Sequence, residues 1–215
     1  MNLLDLVLLV GVVMCAVWGA KRGFIRMLMI TLGLVAAIIL AVHYNDSFTG
    51  QLSGYFHASP MWVTMSAFIL SSMILFALFR LGAKLFFRVA NLQSLGKRDQ
   101  MGGAIMGLVF GWFMMGYLVF LVLFLPLPIA LEPQFENSAL ALKMGASVPF
   151  VYETSERLHP SQGDFMVKME STLKGTLDYV GSAKQKDKAR RLSAVERARV
   201  DDFLARLERY FVTGT

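Results

Sequence analysis

Residues 102–125 read GGAIMGLVFGWFMMGYLVFLVLFL and carry no charge. An α-helix rises about 1.5 Å per residue and the hydrocarbon of a bilayer is roughly 30 Å thick, so about 17–25 apolar residues span it. Inside lipid each backbone N–H and C=O must be satisfied within the protein, which leaves helices and closed barrels. The run lacks the alternation of a lipid-facing strand, so it predicts a transmembrane helix. Three earlier runs have the same character. Residues 3–20 are apolar except for Asp5, and 24–42 except for Arg26 and Thr31. Residues 61–79 contain Thr64, Ser66, Ser71 and Ser72 as their polar members. The expectation is an all-α, four-span membrane protein.

Composition agrees. Hydrophobic residues make up 56% and charged residues 17% of the 215, against roughly 45–50% and 25% in soluble domains. Mean hydropathy is +0.56, more apolar than a soluble core of this length can hide, which argues against a disordered chain or a cytosolic enzyme. The single cysteine, Cys15, excludes an internal disulfide and a multi-thiolate metal site. The net charge of +6 is not read as a nucleic-acid signal, because the basic residues flank apolar runs. The first run is read as a retained span. Its early charge is Asp5 rather than a basic cluster, and Trp18-Gly19-Ala20 puts a bulky side chain where cleavage wants a small one.

Loop charges set an expected orientation. Lys21, Arg22 and Arg26 surround the first connection, and Arg80, Lys84, Arg88, Lys97 and Arg98 the third. Residues 43–60 contain no Lys or Arg. The positive-inside rule then places the first and third connections in the cytoplasm and both termini on the outer, periplasmic face of a bacterial inner membrane.

The chain divides by composition into a four-span domain (1–125), a connector (126–160) and an amphipathic helical tail (161–215). Pro126 and Pro128 stop the fourth helix. The segment beyond them holds 13 of the 21 basic and 12 of the 15 acidic residues, so it is aqueous and nearly neutral. Phe165, Met166, Met169, Leu173, Leu177 and Val180 recur at helical spacing in 164–180, as do Val200, Phe203, Leu204, Leu207 and Phe211 in 194–211. Ser193 followed by Glu196 reads as a capping box opening the second helix, with Lys184 to Arg191 as a basic linker before it.

Some residues stand out from this background. Gly103, Gly107 and Gly111, with Gly102 and Gly116 nearby, lie four apart on one helical face. They leave a groove where another backbone approaches, either to pack helices within or between chains or to let them slide as a gate. Asp99 is placed to cap the fourth helix or to pair with Arg22 or Arg98 across the cytoplasmic face. Asp5 is either an interfacial acid or an inward one that pairs, binds a proton or lines a path. Arg22-Gly23-Phe24, with Lys21 and Arg26, forms a tight turn whose cations anchor at headgroups or recognise an anionic lipid or partner. Arg80, Lys84 and Arg88 share one face of a helix continuing past the third span, with Leu81, Leu85 and Phe86 on the other, a lipid-anchoring pattern. The serines of the third span bond their own backbone or a neighbouring helix, or line a thin polar path. His43, His57 and His159 belong to no metal motif. No catalytic, cofactor or metal set is legible.

In order and spacing these features resemble the colicin V production protein family of bacterial inner-membrane proteins. The likeness rests on Asp5, on Arg22-Gly23-Phe24 with Arg26, on Asp99 with Gly103, Gly107 and Gly111, and on Glu136-Asn137-Ser138 followed by Pro149. It covers roughly residues 1–157 and leaves the tail outside. The resemblance implies a four-span protein required for production or export of a peptide toxin, with a broader role in envelope homeostasis or solute movement. It supplies no catalytic residue.

Two functions compete. One is an accessory protein that works by helix packing and by binding partners: membrane lipids, an envelope protein or further copies of itself. The other is a small oligomeric channel or transporter for solutes or protons.

Overall fold

The computed structural model describes residues 2–53, 60–90, 96–124, 134–135, 137–155, 165–182 and 186–211. Pro126, Pro128, Glu136, His57, His159 and Lys184 lie outside them. Among the described residues the protein is helical, with no strand.

The helices are α1 (Leu3–Arg22), α2 (Phe24–His43), α3 (Asn45–Ser53), α4 (Pro60–Ala90), α5 (Lys97–Phe124), α6 (Ala141–Gly145), α7 (Ser147–Thr154), α8 (Phe165–Ser182) and α9 (Lys186–Phe211). Four of them, α1, α2, α4 and α5, are long and apolar enough to cross a bilayer. At about 1.5 Å per residue, the 31 residues of α4 outrun the roughly 30 Å hydrocarbon. Arg80, Lys84 and Arg88 lie in its last third, beyond the uncharged run 61–79. Similarly, α5 starts at Lys97, ahead of the apolar run, so Asp99 lies in its first turn.

The chain forms two compact units, Met1–Ile38 with Ile74–Val148 and Ile39–Met73 with Pro149–Thr215. In the first, α1 runs antiparallel to α5, and α6 packs on α5. Leu8, Val12, Met27, Ile30, Phe110 and Phe120 are buried there. In the second, α8 packs on α3 and on α9. The heptad-like spacing of the tail buries Phe165, Met169 and Leu173 from α8 and Val200, Phe203 and Leu207 from α9. Tyr152 adds a T-shaped ring contact to Phe165, with centroids 6.1 Å apart.

One boundary differs from the sequence reading. Residues 186–191 are helical, not a linker, and Ser193 stands inside α9 rather than at its N-cap. Residues 186–211 contain neither Gly nor Pro and are rich in Lys, Arg, Ala and Leu. These are strong helix formers, so nothing halts propagation toward the N-terminus. Local S-x-x-E spacing imitates a start that the longer helix overrides.

Candidate functional site

The three glycines of α5 face α1 within the same chain. A Cβ on Gly107 would stand 2.5 Å from the Cys15 carbonyl oxygen and 2.8 Å from the Ala16 Cα. One on Gly111 would lie 3.0 Å from the Val12 Cα, and one on Gly103 would meet the Gly19 carbonyl. From the other side, a Cβ on Gly19 would lie 2.8 Å from the Gly107 Cα. As α5 climbs from 103 to 111, its partners on α1 descend from 19 to 12. Two backbones thus touch along an antiparallel seam. In lipid, burying a large apolar side chain gains little, because the tails are equally apolar; close backbone approach gains dispersion instead. The Trp18 and Phe110 rings meet beside the seam in a tilted contact, with centroids 5.8 Å apart. The partner helix has its own sequence signal: Gly11, Cys15 and Gly19 are also spaced by four, a small-residue stripe that the sequence reading passed over.

A carboxylate closes each end of this seam. At one end the backbone N–H of Phe24 donates to Asp99 Oδ1 at 2.8 Å. Phe24 is the first residue of α2, so a side chain in the first turn of α5 satisfies one of the orphan donors of another helix. Among the described residues Asp99 makes no ion pair; it ties the first hairpin to the fourth span through backbone, not through Arg22 or Arg98. Gly23 permits this approach. Its φ is +86°, where L side chains are strained, and an added Cβ would collide with the Asp99 carboxylate. Gly102 sits against Phe24, 3.0 Å from its Cβ to the Cβ glycine lacks.

At the other end Asp5 is buried. Its Oδ1 accepts the Ser138 hydroxyl at 2.5 Å and the Leu140 N–H at 3.2 Å. Its Oδ2 accepts the Asn2 N–H at 3.3 Å. Ser138 Oγ in turn accepts the Ala141 N–H at 3.0 Å and so organises the start of α6. Asn2 Nδ2 donates to the Gln134 carbonyl at 3.0 Å. Gly116 leaves room for this returning segment: a Cβ there would strike the Met144 carbonyl and Ser147 Oγ. Residues 141–147 therefore fold back along α5.

In the second unit the Asp46 carboxylate, in the first turn of α3, accepts from Lys168 Nζ and from the Thr172 hydroxyl on α8. Lys168 is buried, while Asp46 keeps 44% of its side chain exposed. Burial, with Asp46 nearby, pushes the Tyr152 phenol above its ordinary range. This clamp was not anticipated. Its only sequence signal is a lysine and a threonine inside the face marked by Phe165, Met169 and Leu173.

The remaining candidates are placed as follows. Ser71 and Ser72 donate to the carbonyls of Phe68 and Ile69 at 3.1 and 2.9 Å, and Thr31 to that of Met27 at 2.9 Å. Thr64 Oγ1 is buried without a partner. Arg80, Lys84 and Arg88 are exposed, as is Arg26. Among the described residues no three metal-ligating side chains converge.

The three tethers share a parity. Asn2–Asp5 and 134–140 are separated by four spans, Phe24 and Asp99 by two, and Asp46 and Lys168 by two. Each pair is separated by an even number of the apolar helices, the parity that contacts on one face of a membrane require.

The seam and both of its carboxylates fall inside one stretch of known family character. The family model described as colicin V production protein matches residues 4–149. The chain belongs to that family. The match opens with α1 and ends within α7, so family membership and multi-pass membrane character rest on the same segment. The tail helices α8 and α9 lie beyond it. Searches of curated proteins and of solved structures gave no significant match.

Proposed function

We propose that this protein of the colicin V production family is an accessory protein of the bacterial inner membrane. It supports toxin production or export, or envelope homeostasis, by holding partners against a fixed helical platform. The observation that carries this reading is the closed seam between α1 and α5. The small residues that a sliding gate would use are in backbone contact within one chain. The intramembrane acid that a proton or solute path would use is occupied by Ser138 and Leu140. Hydroxyls of the spans, Thr31, Ser71 and Ser72, bond their own helices. What is left open is apolar: Leu3, Val7, Val10, Met14 and Val17 lie exposed along α1, a surface for lipid or for a partner helix. The distribution of Lys and Arg supports cytoplasmic first and third connections, with the tail on the outer face.

Reconstitution tests the proposal. Purified protein in liposomes should give no proton or solute flux above empty vesicles, and an envelope partner should stay bound through affinity purification in mild detergent. Flux that disappears with Asp5→Asn overturns the accessory role in favour of a channel. A monomeric mass in a lipid mimic makes a multi-subunit pore untenable. A periplasm-only reporter fused after Thr215 should be active; activity of a cytoplasmic reporter there instead reverses the orientation.

A further inference from the structure

In the first unit an open apolar groove runs between α2 and α4. Its volume is about 590 Å³, within the ~300–1,000 Å³ that single-ligand sites occupy. Leu32, Gly33 and Ala36 line it from α2, and Phe79, Gly82 and Ala83 from α4. Small residues make the hollow: an added Cβ at Gly82 meets nothing within 4 Å. The α2 wall begins at Met29, one turn beyond Arg26, so the groove opens near the cationic interface and continues into the hydrocarbon.

Arginines flank the groove. Arg26 lies just before Met29 on α2, and Arg80 lies between the lining Phe79 and Gly82 on α4. The Arg22 guanidinium lies over the Trp18 ring at 4.0 Å, and that of Arg26 over Phe87 at 5.6 Å. These aromatic faces hold the guanidiniums in place and contribute only weak attraction. No carboxylate forms an ion pair with Arg22, Arg26 or Arg80 among the described residues; the nearby Asp99 carboxylate is turned to the Phe24 N–H. Guanidiniums beside a low-dielectric groove gain from an anion seated between them and the apolar wall. Guanidinium forks match phosphate oxygens in a bidentate way that a lysine cannot.

We infer that the α2–α4 groove, with Arg26 and Arg80 beside it, forms one binding site for an anionic phospholipid. The acyl chain fills the groove and the phosphate sits on the guanidiniums. A partner helix would satisfy the groove and leave the arginines unmatched. A free phosphate would satisfy the arginines and leave the groove empty. A lipid with a charged headgroup answers both. The inference does not depend on whether the protein is an accessory factor or a channel.

The test uses the full-length chain in neutral detergent. Phosphatidylglycerol should raise its melting temperature and remain bound in native mass spectrometry, whereas phosphatidylcholine should do neither. Arg26→Gln with Arg80→Gln, both at exposed positions, should weaken retention about tenfold or more, as loss of charge-assisted contacts implies. Gly82→Leu should fold normally, since its side chain enters empty space and leucine favours helix, yet should lose phosphatidylglycerol. Inorganic phosphate alone should leave the melting temperature unchanged. Equal retention of the two lipids overturns the site, as does full stabilisation by inorganic phosphate. Retention surviving in both variants also overturns it. A Gly82→Leu protein that keeps its lipid but changes its subunit number would make the groove a contact between copies, which equally refutes the lipid site. Should Gly82→Leu not fold, the arginine pair decides alone.

Discussion

The α1–α5 seam and the α8–α9 tail solve the same problem, joining helices, by opposite means. The seam is built from missing atoms: Gly19, Gly103, Gly107 and Gly111 bring backbones into contact. The tail is built from large ones: Phe165, Met169, Leu173, Phe203 and Leu207 are almost fully buried. The difference is one of solvent. Water rewards each square ångström of apolar surface hidden, by roughly 25 cal/mol, so an aqueous helix pair gains from bulk. Lipid offers no such reward, and a pair within it gains from closeness. Adding atoms should therefore break the first region, and removing them the second.

The largest effect belongs to the seam. Gly107→Leu places a side chain where the Cys15 carbonyl and Ala16 Cα already stand. Both are backbone, so no rotamer change relieves the clash. Overpacking costs about 1–3 kcal/mol where neighbours can shift; here whole helices must separate. The expected outcome is loss of the monodisperse folded peak in detergent and a steep fall in melting temperature. An unchanged melting profile would break the comparison, because it would mean that the glycines are not in contact with α1. Gly82→Leu, a glycine replaced in open space, is the internal control.

Deletion in the tail ranks next. Phe203→Ala removes a fully buried ring and should cost about 3–5 kcal/mol of local stability. Amide exchange in α8 and α9 should accelerate, while protection in α1 and α5 stays as it was. Equal acceleration in all four helices would show that the two regions do not hold themselves together independently.

The two regions were also unequally legible from residues alone. Long uncharged runs leave a single solution in lipid, so α1, α2, α4 and α5 could be read directly, and glycines at four-residue steps announced a close contact. Which helix supplied the other half was encoded as plainly, in Gly11, Cys15 and Gly19, but a stripe containing one cysteine and no polar residue resembles ordinary apolar filling. Tethers made by single polar groups left no pattern. Ser138 meets Asp5 across 133 residues and Lys168 meets Asp46 across 122, and no local spacing relates partners so far apart. Arg22, Arg26 and Arg80 were each visible as cations. The placing of Arg26 and Arg80 beside one groove depends on how α2 and α4 are placed, which periodicity does not specify.

The smallest effect sharpens the reading of the tail itself. As an N-cap, Ser193 would accept an orphan N–H of the first turn, and Ser193→Ala would cost about 1 kcal/mol. As an interior residue of a helix that begins at Lys186, it has no such duty, and alanine is the better helix former by a few tenths of a kcal/mol. The sign of the change therefore separates the two. Ser193→Ala should slow amide exchange in α9 slightly or leave it unaltered. Faster exchange confined to the turn after 193, with residues 186–192 unprotected in both proteins, would place the helix start at Ser193 after all. It would also restore the basic segment before it as a linker. The measurement bears on the larger contrast because it decides whether residues 186–192 belong to α9.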